Sequence, residues 1–405
     1  MGRFVVVVLD SFGVGAMDDV NEVRPQDAAS NTCKHIMETV PNLSLANMCR
    51  LGLMNALGEE IGVNRFCKEA IYGTADLMHI GADSFAGHQE IMGTRPKQPL
   101  LQPFREVIDQ VFQALIEADY RVKYVGADTQ VLAVNESVIV GDNLETDLGQ
   151  VYNVSGCLDM ISFDEIVRIG QVVRSTVKVS RVIALGGEQV SFDQLLQAQS
   201  AKKDDIYVGI DTPQSGLYNS GYRVTHLGYG VNAAVQVPSI LGRNNIAVSL
   251  IGKVGDIVEN RNGTNLPGVE TEQLFELLLS EVKRIRHGFI CLNIQETDLA
   301  GHAQNTLRYA DRLQVSDLYL GKLMDQLEAD DVLIVTADHG NDPTIGHSHH
   351  TREKVPVLVY HQPMRECYLG RMQTLSDIGA TAADYFNVEL PENGQSFLSN
   401  FKCVI

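Results

Sequence analysis

The sequence predicts an α/β fold built on a mostly parallel sheet flanked by helices, and three observations carry that reading. Short continuous apolar runs recur along the chain, helical periodicities lie between them, and acidic residues follow several of the runs.

Residues 4–9 (Phe-Val-Val-Val-Val-Leu) form the first run, with four consecutive β-branched side chains. A run without polar alternation predicts a strand covered on both faces. Residues 181–185, 245–251, 289–294 and Val332–Thr336 repeat the pattern, each flanked by polar or glycine-containing turns. Between them Phe104, Val107, Ile108, Val111 and Leu115 recur at helical spacing, as do Leu313, Leu320, Met324 and Leu327. Strands alternating with helices imply parallel strands joined by crossovers. Residues 98–220 have their own helix–strand alternation but few histidines or metal-type acid clusters. They are expected to form an inserted smaller α/β cap domain, leaving 1–97 and 221–405 as the two parts of a core.

Bulk properties narrow the function. A formal net charge of −19 argues against non-specific nucleic-acid binding and against attraction to an anionic membrane, both of which need basic patches. It does not exclude a phosphorylated substrate, because bound cations reverse the local field. There is no apolar run of the about 18 residues that a spanning helix needs. The apolar start is short, ends on Asp10 and lacks a small-residue cleavage site, so no signal peptide is expected. Seven scattered cysteines without a CxxC pair predict neither a disulfide framework nor a zinc ribbon, and a reducing cytoplasm is the expected location.

The chemistry is expected where acids follow strands. Asp10 follows the first run, Glu296 and Asp298 the fourth, and Asp338 the fifth. Carboxyl ends of parallel strands form the ligand crevice of such sheets, although Asp also follows strands simply because it favours turns. Asp338-His339-Gly340 places a carboxylate beside an imidazole at a tight corner, a donor pair suited to Mn²⁺, Zn²⁺ or Mg²⁺. His302 follows Asp298 by four positions and shares its face on a helix, an arrangement that a surface contact would also give. His347-Ser348-His349-His350 offers three imidazoles in four positions, for a metal or for a solvated surface cluster. Ser84, in the glycine-flanked segment Gly81 to His88, is either a turn residue or a hydroxyl presented to a metal as nucleophile.

These segments, in this order, resemble the phosphopentomutase family of the alkaline phosphatase superfamily. The matching stretches include Leu9-Asp10-Ser11-Phe12-Gly13-Val14-Gly15, Gly87-His88-Gln89-Glu90-Ile91-Met92-Gly93, Ile251-Gly252-Lys253, Thr336 to Pro343, His350-Thr351-Arg352-Glu353 and Asp377-Ile378-Gly379-Ala380-Thr381. The resemblance implies an alkaline-phosphatase-like core and two divalent ions, with Mn²⁺ the expected metal. One ion would be held by Asp298, His302 and His350, and the other by Asp10, Asp338, His339 and the nucleophile. That nucleophile is a threonine in the family and Ser84 here. Ions about 4 Å apart would clamp a phosphoryl group for in-line transfer, and the cap would exclude water. The resemblance therefore implies a phosphomutase that moves phosphate within a pentose phosphate or a related small molecule. The alternative is a phosphohydrolase on the same site.

The departures from the family concern the substrate. Ala82 stands where the family carries lysine, Gln89 replaces a tryptophan, and His349 replaces an aspartate. Where the family carries its phosphoribose-binding arginines, this strand runs into Leu185-Gly186-Gly187 with no such arginine motif after it. Arg95, Asp147 and Lys253 are the candidate substrate residues in this chain.

Overall fold

The computed structural model describes residues 2–126, 130–145 and 148–401. It divides into two units, one formed by residues 1–96 and 232–405, the other by residues 97–231. The second boundary lies eleven residues beyond the expected 220. The reason is Arg223–Gly228, which pairs antiparallel with Arg181–Gly187 and so extends the sheet of the second unit.

The first unit is built on eight strands: β1 (Arg3–Leu9), β2 (Ile71–Ala75), β3 (Ala247–Ile251), β4 (Thr264–Leu266), β5 (Gly288–Ile294), β6 (Val332–Thr336), β7 (Val355–Tyr360) and β8 (Cys367–Met372). Their order across the sheet is β4-β3-β5-β1-β6-β7-β2-β8. Every neighbouring pair is parallel except the two made by β7, so the sheet is mostly parallel as predicted. The apolar run of β1 lies between β5 and β6, and every residue of the strand is buried. On one face the helix Thr271–Arg284 packs beside Thr306–Met324, where Phe275 stacks on Tyr319 at 5.2 Å. Phe4 meets Tyr385 of the helix Ser376–Tyr385 at 5.5 Å. At the start of β1 the buried Arg3 and Asp331 form a forked ion pair, with Nε 3.0 and 3.1 Å from the two carboxylate oxygens.

The strand order decides where the chemistry falls. In register, Val8 of β1 lies opposite Asn293 of β5 and Thr336 of β6. Three adjacent parallel strands therefore end together, and the residues after them emerge on one edge.

The second unit has a six-stranded sheet in the order Arg223–Gly228, Arg181–Gly187, Val151–Cys157, Val138–Asp142, Val131–Val134, Val122–Val125. Only the pair of Val151–Cys157 with Arg181–Gly187 is parallel. The helices Ile108–Glu117 and Phe163–Thr176 cover one face through Val111, Leu115, Ile166, Ile169 and Val173. The predicted helical spacing from Phe104 is a 3₁₀ turn followed by the first of these helices.

Asp142 is buried in this unit, where it accepts the N–H groups of Phe104 (3.0 Å) and Val208 (2.8 Å). Burial pushes its carboxyl up to about 7, against the pull of those two donors. A carboxyl raised in the folded state contributes stability that is complete below its ordinary value of 3.8 and lost as pH rises through about 7. Raising the pH from about 5 to about 8 should thus lower the melting temperature of the wild type more than that of Asp142→Asn. Thermal melts of both proteins across that range check this.

No helix among the described residues is long and apolar enough to cross a membrane.

Candidate metal centre

Each side chain of the cluster is delivered by a short, fixed segment. Asp10 follows β1 directly, and the next residue, Ser11, sits at φ +71°, a strained conformation for a non-glycine residue. Ser11 compensates by donating its N–H to Asp338 Oδ1 at 3.0 Å. Asp298 and His302 sit on the helix Glu296–His302 that follows β5. Asp338 and His339 follow β6, and a β-bridge between Gly340 and Thr351 draws the His350 segment alongside them. Gly340 is required there, because a Cβ would lie 2.4 Å from Glu353 Oε1.

Ser84 opens the helix Ser84–Ile91, with Asp83 as its N-cap accepting the N–H of Ala86 at 2.9 Å. This helix approaches Asp338 so closely that a Cβ on Gly87 would lie 2.6 Å from the Asp338 carbonyl. Ser84 Oγ thereby comes within 2.8 Å of His339 Nε2 and 3.4 Å of Asp10 Oδ1. The positive end of the helix points the same way, which favours a phosphoryl group or an oxyanion.

The candidate ligand atoms converge. His350 Nε2 lies 3.2 Å from Asp298 Oδ1 and 3.0 Å from His302 Nε2. His302 Nε2 lies 3.4 Å from Asp298 Oδ2. His339 Nε2 is 3.4 Å from Asp338 Oδ2 and 3.6 Å from Asp10 Oδ1. Two groups have donor atoms all within 4.8 Å of one another: Asp298, His339 and His350, and Asp10, Asp338 and His339.

Two further features fit this set to divalent cations. Each imidazole spends Nδ1 on a backbone carbonyl: His302 on Ser348 (2.7 Å), His339 on Gly340 (2.9 Å), His350 on Ala82 (2.9 Å). A carbonyl only accepts, so Nδ1 carries the proton and Nε2 presents a lone pair in the neutral ring. In addition, Asp338 Oδ2 is buried and accepts no hydrogen bond of good geometry, a lone pair that an ion would satisfy.

Without ions the buried charges perturb one another strongly. Burial and the neighbouring Asp338 push the Asp10 carboxyl up to about 7, while burial pushes His339 down to about 3. His350 is buried too, but Asp298 beside it raises its imidazole to about 9. Lys253 Nζ stands among the acids, 3.0 Å from Asp10 Oδ2, 3.7 Å from Asp298 Oδ2 and 2.9 Å from Ser84 Oγ. Burial opposes its charge, but Asp10 and Asp298 hold its ammonium above the ordinary range.

Comparison with known proteins shows the family. The family model of the metalloenzyme superfamily matches residues 2–390. The phosphopentomutase of Clostridium beijerinckii is 30% identical over 434 residues, spanning 98% of this chain and 98% of that protein. The chain belongs to the phosphopentomutase family. The phosphopentomutase of Clostridium botulinum is 29% identical with the same coverage of both chains. A solved structure of Leishmania mexicana phosphoglycerate mutase aligns over 98% of this chain and 97% of its own, with 12% identity and a TM-score of 0.46.

Within this phosphopentomutase-family chain the seven residues singled out as ligands or nucleophile lie in one cluster, and Lys253 lies with them. Arg95 does not. It is exposed and lies beyond the far end of the Ser84–Ile91 helix, where its N–H donates to Glu392 at 3.0 Å. That helix alone separates its two ends by about 10 Å. Asp147 lies outside the described residues.

Several supporting residues escaped sequence reasoning. His88, one helical turn after Ser84, lies 3.2 Å from Asp338 Oδ2. Asn293, near the end of β5, places Nδ2 3.1 Å from Asp10 Oδ2 and 3.0 Å from His88 Nε2. Asn341 donates to Asp298 Oδ1 at 3.1 Å. Arg352 grips the backbone ahead of Ser84, donating to the carbonyls of Leu77 (3.1 Å), His79 (2.7 Å) and Gly81 (2.7 Å) while pairing with Asp19 at 2.8 Å. Buried Glu353 accepts from Thr32, Thr351 and the N–H of Gly15, tying together the loops behind the cluster. His88 had a sequence signal, its spacing of four from Ser84; the long-range partners had none.

Proposed function

We propose that the chain is a two-ion phosphomutase acting through phospho-Ser84 on a pentose phosphate or a related phosphorylated small molecule. The observation that carries this reading is the setting of Ser84, a buried hydroxyl at a helix N-terminus, 2.8 Å from His339, which belongs to both groups of metal-type donors, and beside an ammonium. Asp298, His302 and His350 would hold one divalent ion, and Asp10, Asp338, His339 and Ser84 the other. The mixed nitrogen and oxygen donors suit Mn²⁺, and Zn²⁺ shares that preference more than Mg²⁺ does. When bound, the ions neutralise the transferring phosphoryl group and favour ionisation of the serine hydroxyl. A reducing cytoplasm belongs to the same reading.

The remaining work falls to the chain's own groups. With phosphate on Ser84, a substrate hydroxyl attacks phosphorus; its new O–P bond forms as the bond to Ser84 Oγ breaks, and the proton it releases makes good the one that Lys253 gives to the serine oxygen. The departing serine oxygen is received by Lys253 Nζ, 2.9 Å away, and by the helix N-terminus. The doubly phosphorylated intermediate then presents its other phosphate, and attack by Ser84 Oγ on that phosphorus restores the phosphoenzyme. Atoms balance over the cycle, and no water is consumed.

One observation favours a second reading, a phosphohydrolase. The strand Arg181–Gly187 ends in Leu-Gly-Gly where the family carries a phosphate-gripping arginine motif, so the distal grip on phosphoribose is changed. Incubation with ribose 5-phosphate, Mn²⁺ and a sugar bisphosphate activator separates the two. Ribose 1-phosphate is the expected product, whereas free phosphate in its place would establish the hydrolase. If neither forms while Ser84 takes up phosphate, the pentose assignment fails and the phosphoserine chemistry stands.

A further inference from the structure

The loop from the helix Leu53–Leu57 to β2 borders an open cavity of about 410 Å³, within the range of about 300–1,000 Å³ typical of small-ligand sites. Its base is held rigidly. Cys49 and Asn64 are buried, and the Asn64 amide accepts from Leu45 N–H and donates to Leu43 O, each at 2.9 Å.

Arg50, Arg65 and Lys68 line the cavity and no acid does, in a chain with 51 acidic and 32 basic residues. Arg65 is set at the rim by bonds from Nη1 to the carbonyls of Gly62 (2.7 Å) and Asn64 (3.0 Å). The nearby acids stand outside the lining. Glu60 is 3.8 Å from Arg65 Nε, and Asp317 is engaged by the N–H groups of Asn47 and Met48. Beside the cations, Phe66 is 49% and Val63 57% exposed, apolar surface that folding leaves unused.

We propose that this cavity binds an anion carried on a planar ring, of the nucleoside monophosphate class. The phosphate sits among Arg50, Arg65 and Lys68, where guanidinium groups match its geometry, and the ring lies against Phe66. In a chain of net charge −19, three cations with a single adjoining acid, Glu60, which also accepts Phe66 N–H at 2.9 Å, are a local well for an anion rather than part of a general field.

Cys67 is half-buried and lines the same cavity, which provides a local reporter independent of the ion cluster. AMP is the probe, added to the metal-loaded protein while alkylation of Cys67 is followed by peptide mass spectrometry. AMP is expected to slow that alkylation at least about fivefold. The double variant Arg65→Ala/Lys68→Ala should need at least about tenfold more AMP for the same protection, with phosphoryl transfer unchanged. Phe66→Ala should weaken protection by AMP but not by inorganic phosphate. Alkylation of Cys67 indifferent to AMP, or equal protection in the double variant, overturns the site; equal protection in Phe66→Ala overturns the ring contact.

Discussion

Ser84→Ala should abolish phosphoryl transfer, lowering kcat by about four orders of magnitude or more, the scale on which loss of a catalytic nucleophile is felt. The variant should fold normally, because Ser84 opens its helix while the cap is made by Asp83. It should retain both ions, since three residues besides the hydroxyl are assigned to the second site and three to the first. Ser84→Thr restores a hydroxyl of the kind that the family uses and should recover activity that alanine cannot. Steady-state kinetics and metal analysis of the two variants check this together. Unchanged turnover in Ser84→Ala would remove the serine from the mechanism.

Asp338→Ala should lose at least one of the two ions and nearly all activity. Asp338 is fully buried, one oxygen accepting Ser11 N–H at 3.0 Å and the other left without a well-formed hydrogen bond. Removing it deletes a proposed ligand and frees Ser11 from the contact that holds its strained backbone beside Asp10. The loss of affinity should exceed the about 10–100-fold that changes to outer supporting residues cost. Inductively coupled plasma mass spectrometry on the dialysed variant is the check. Two ions per chain at wild-type affinity would show that Asp338 is no ligand.

The core sheet was legible where strands are apolar without interruption. β1, β5 and β6 are buried throughout and β3 is buried after Ala247, and their sequences say so. β2 reads Ile-Tyr-Gly-Thr-Ala with alternate residues half-buried, and β8 is a half-exposed strand with a register shift between Tyr368 and Gly370; neither shows a continuous run. The second unit extends beyond residue 220 for the same reason. Its last strand, Arg223–Gly228, is exposed or half-buried throughout and becomes a strand only by pairing with Arg181–Gly187.

The clustering of the proposed ligands was legible because parallel strands end together, so Asp10, Asp298 and Asp338 could be brought to one edge from sequence alone. His350 was separated from His347 and His349 only by its place before Thr-Arg-Glu. The physical reason is the Gly340–Thr351 bridge, which no local pattern announces. Arg352 and Asn293 were invisible because their partners lie more than two hundred residues away in sequence. Arg95 was singled out as a guanidinium to grip a distal anion; a helix separates it from Ser84, so it lies outside the cluster.

The central claim is that phosphate passes through Ser84. It is tested most directly by incubating the metal-loaded protein with a sugar bisphosphate, quenching, and locating the phosphate by peptide mass spectrometry. A single phosphate on Ser84, transferred to ribose 5-phosphate or another acceptor on chase, is the predicted result. Turnover with an unmodified Ser84, or with the phosphate on another residue, would contradict it.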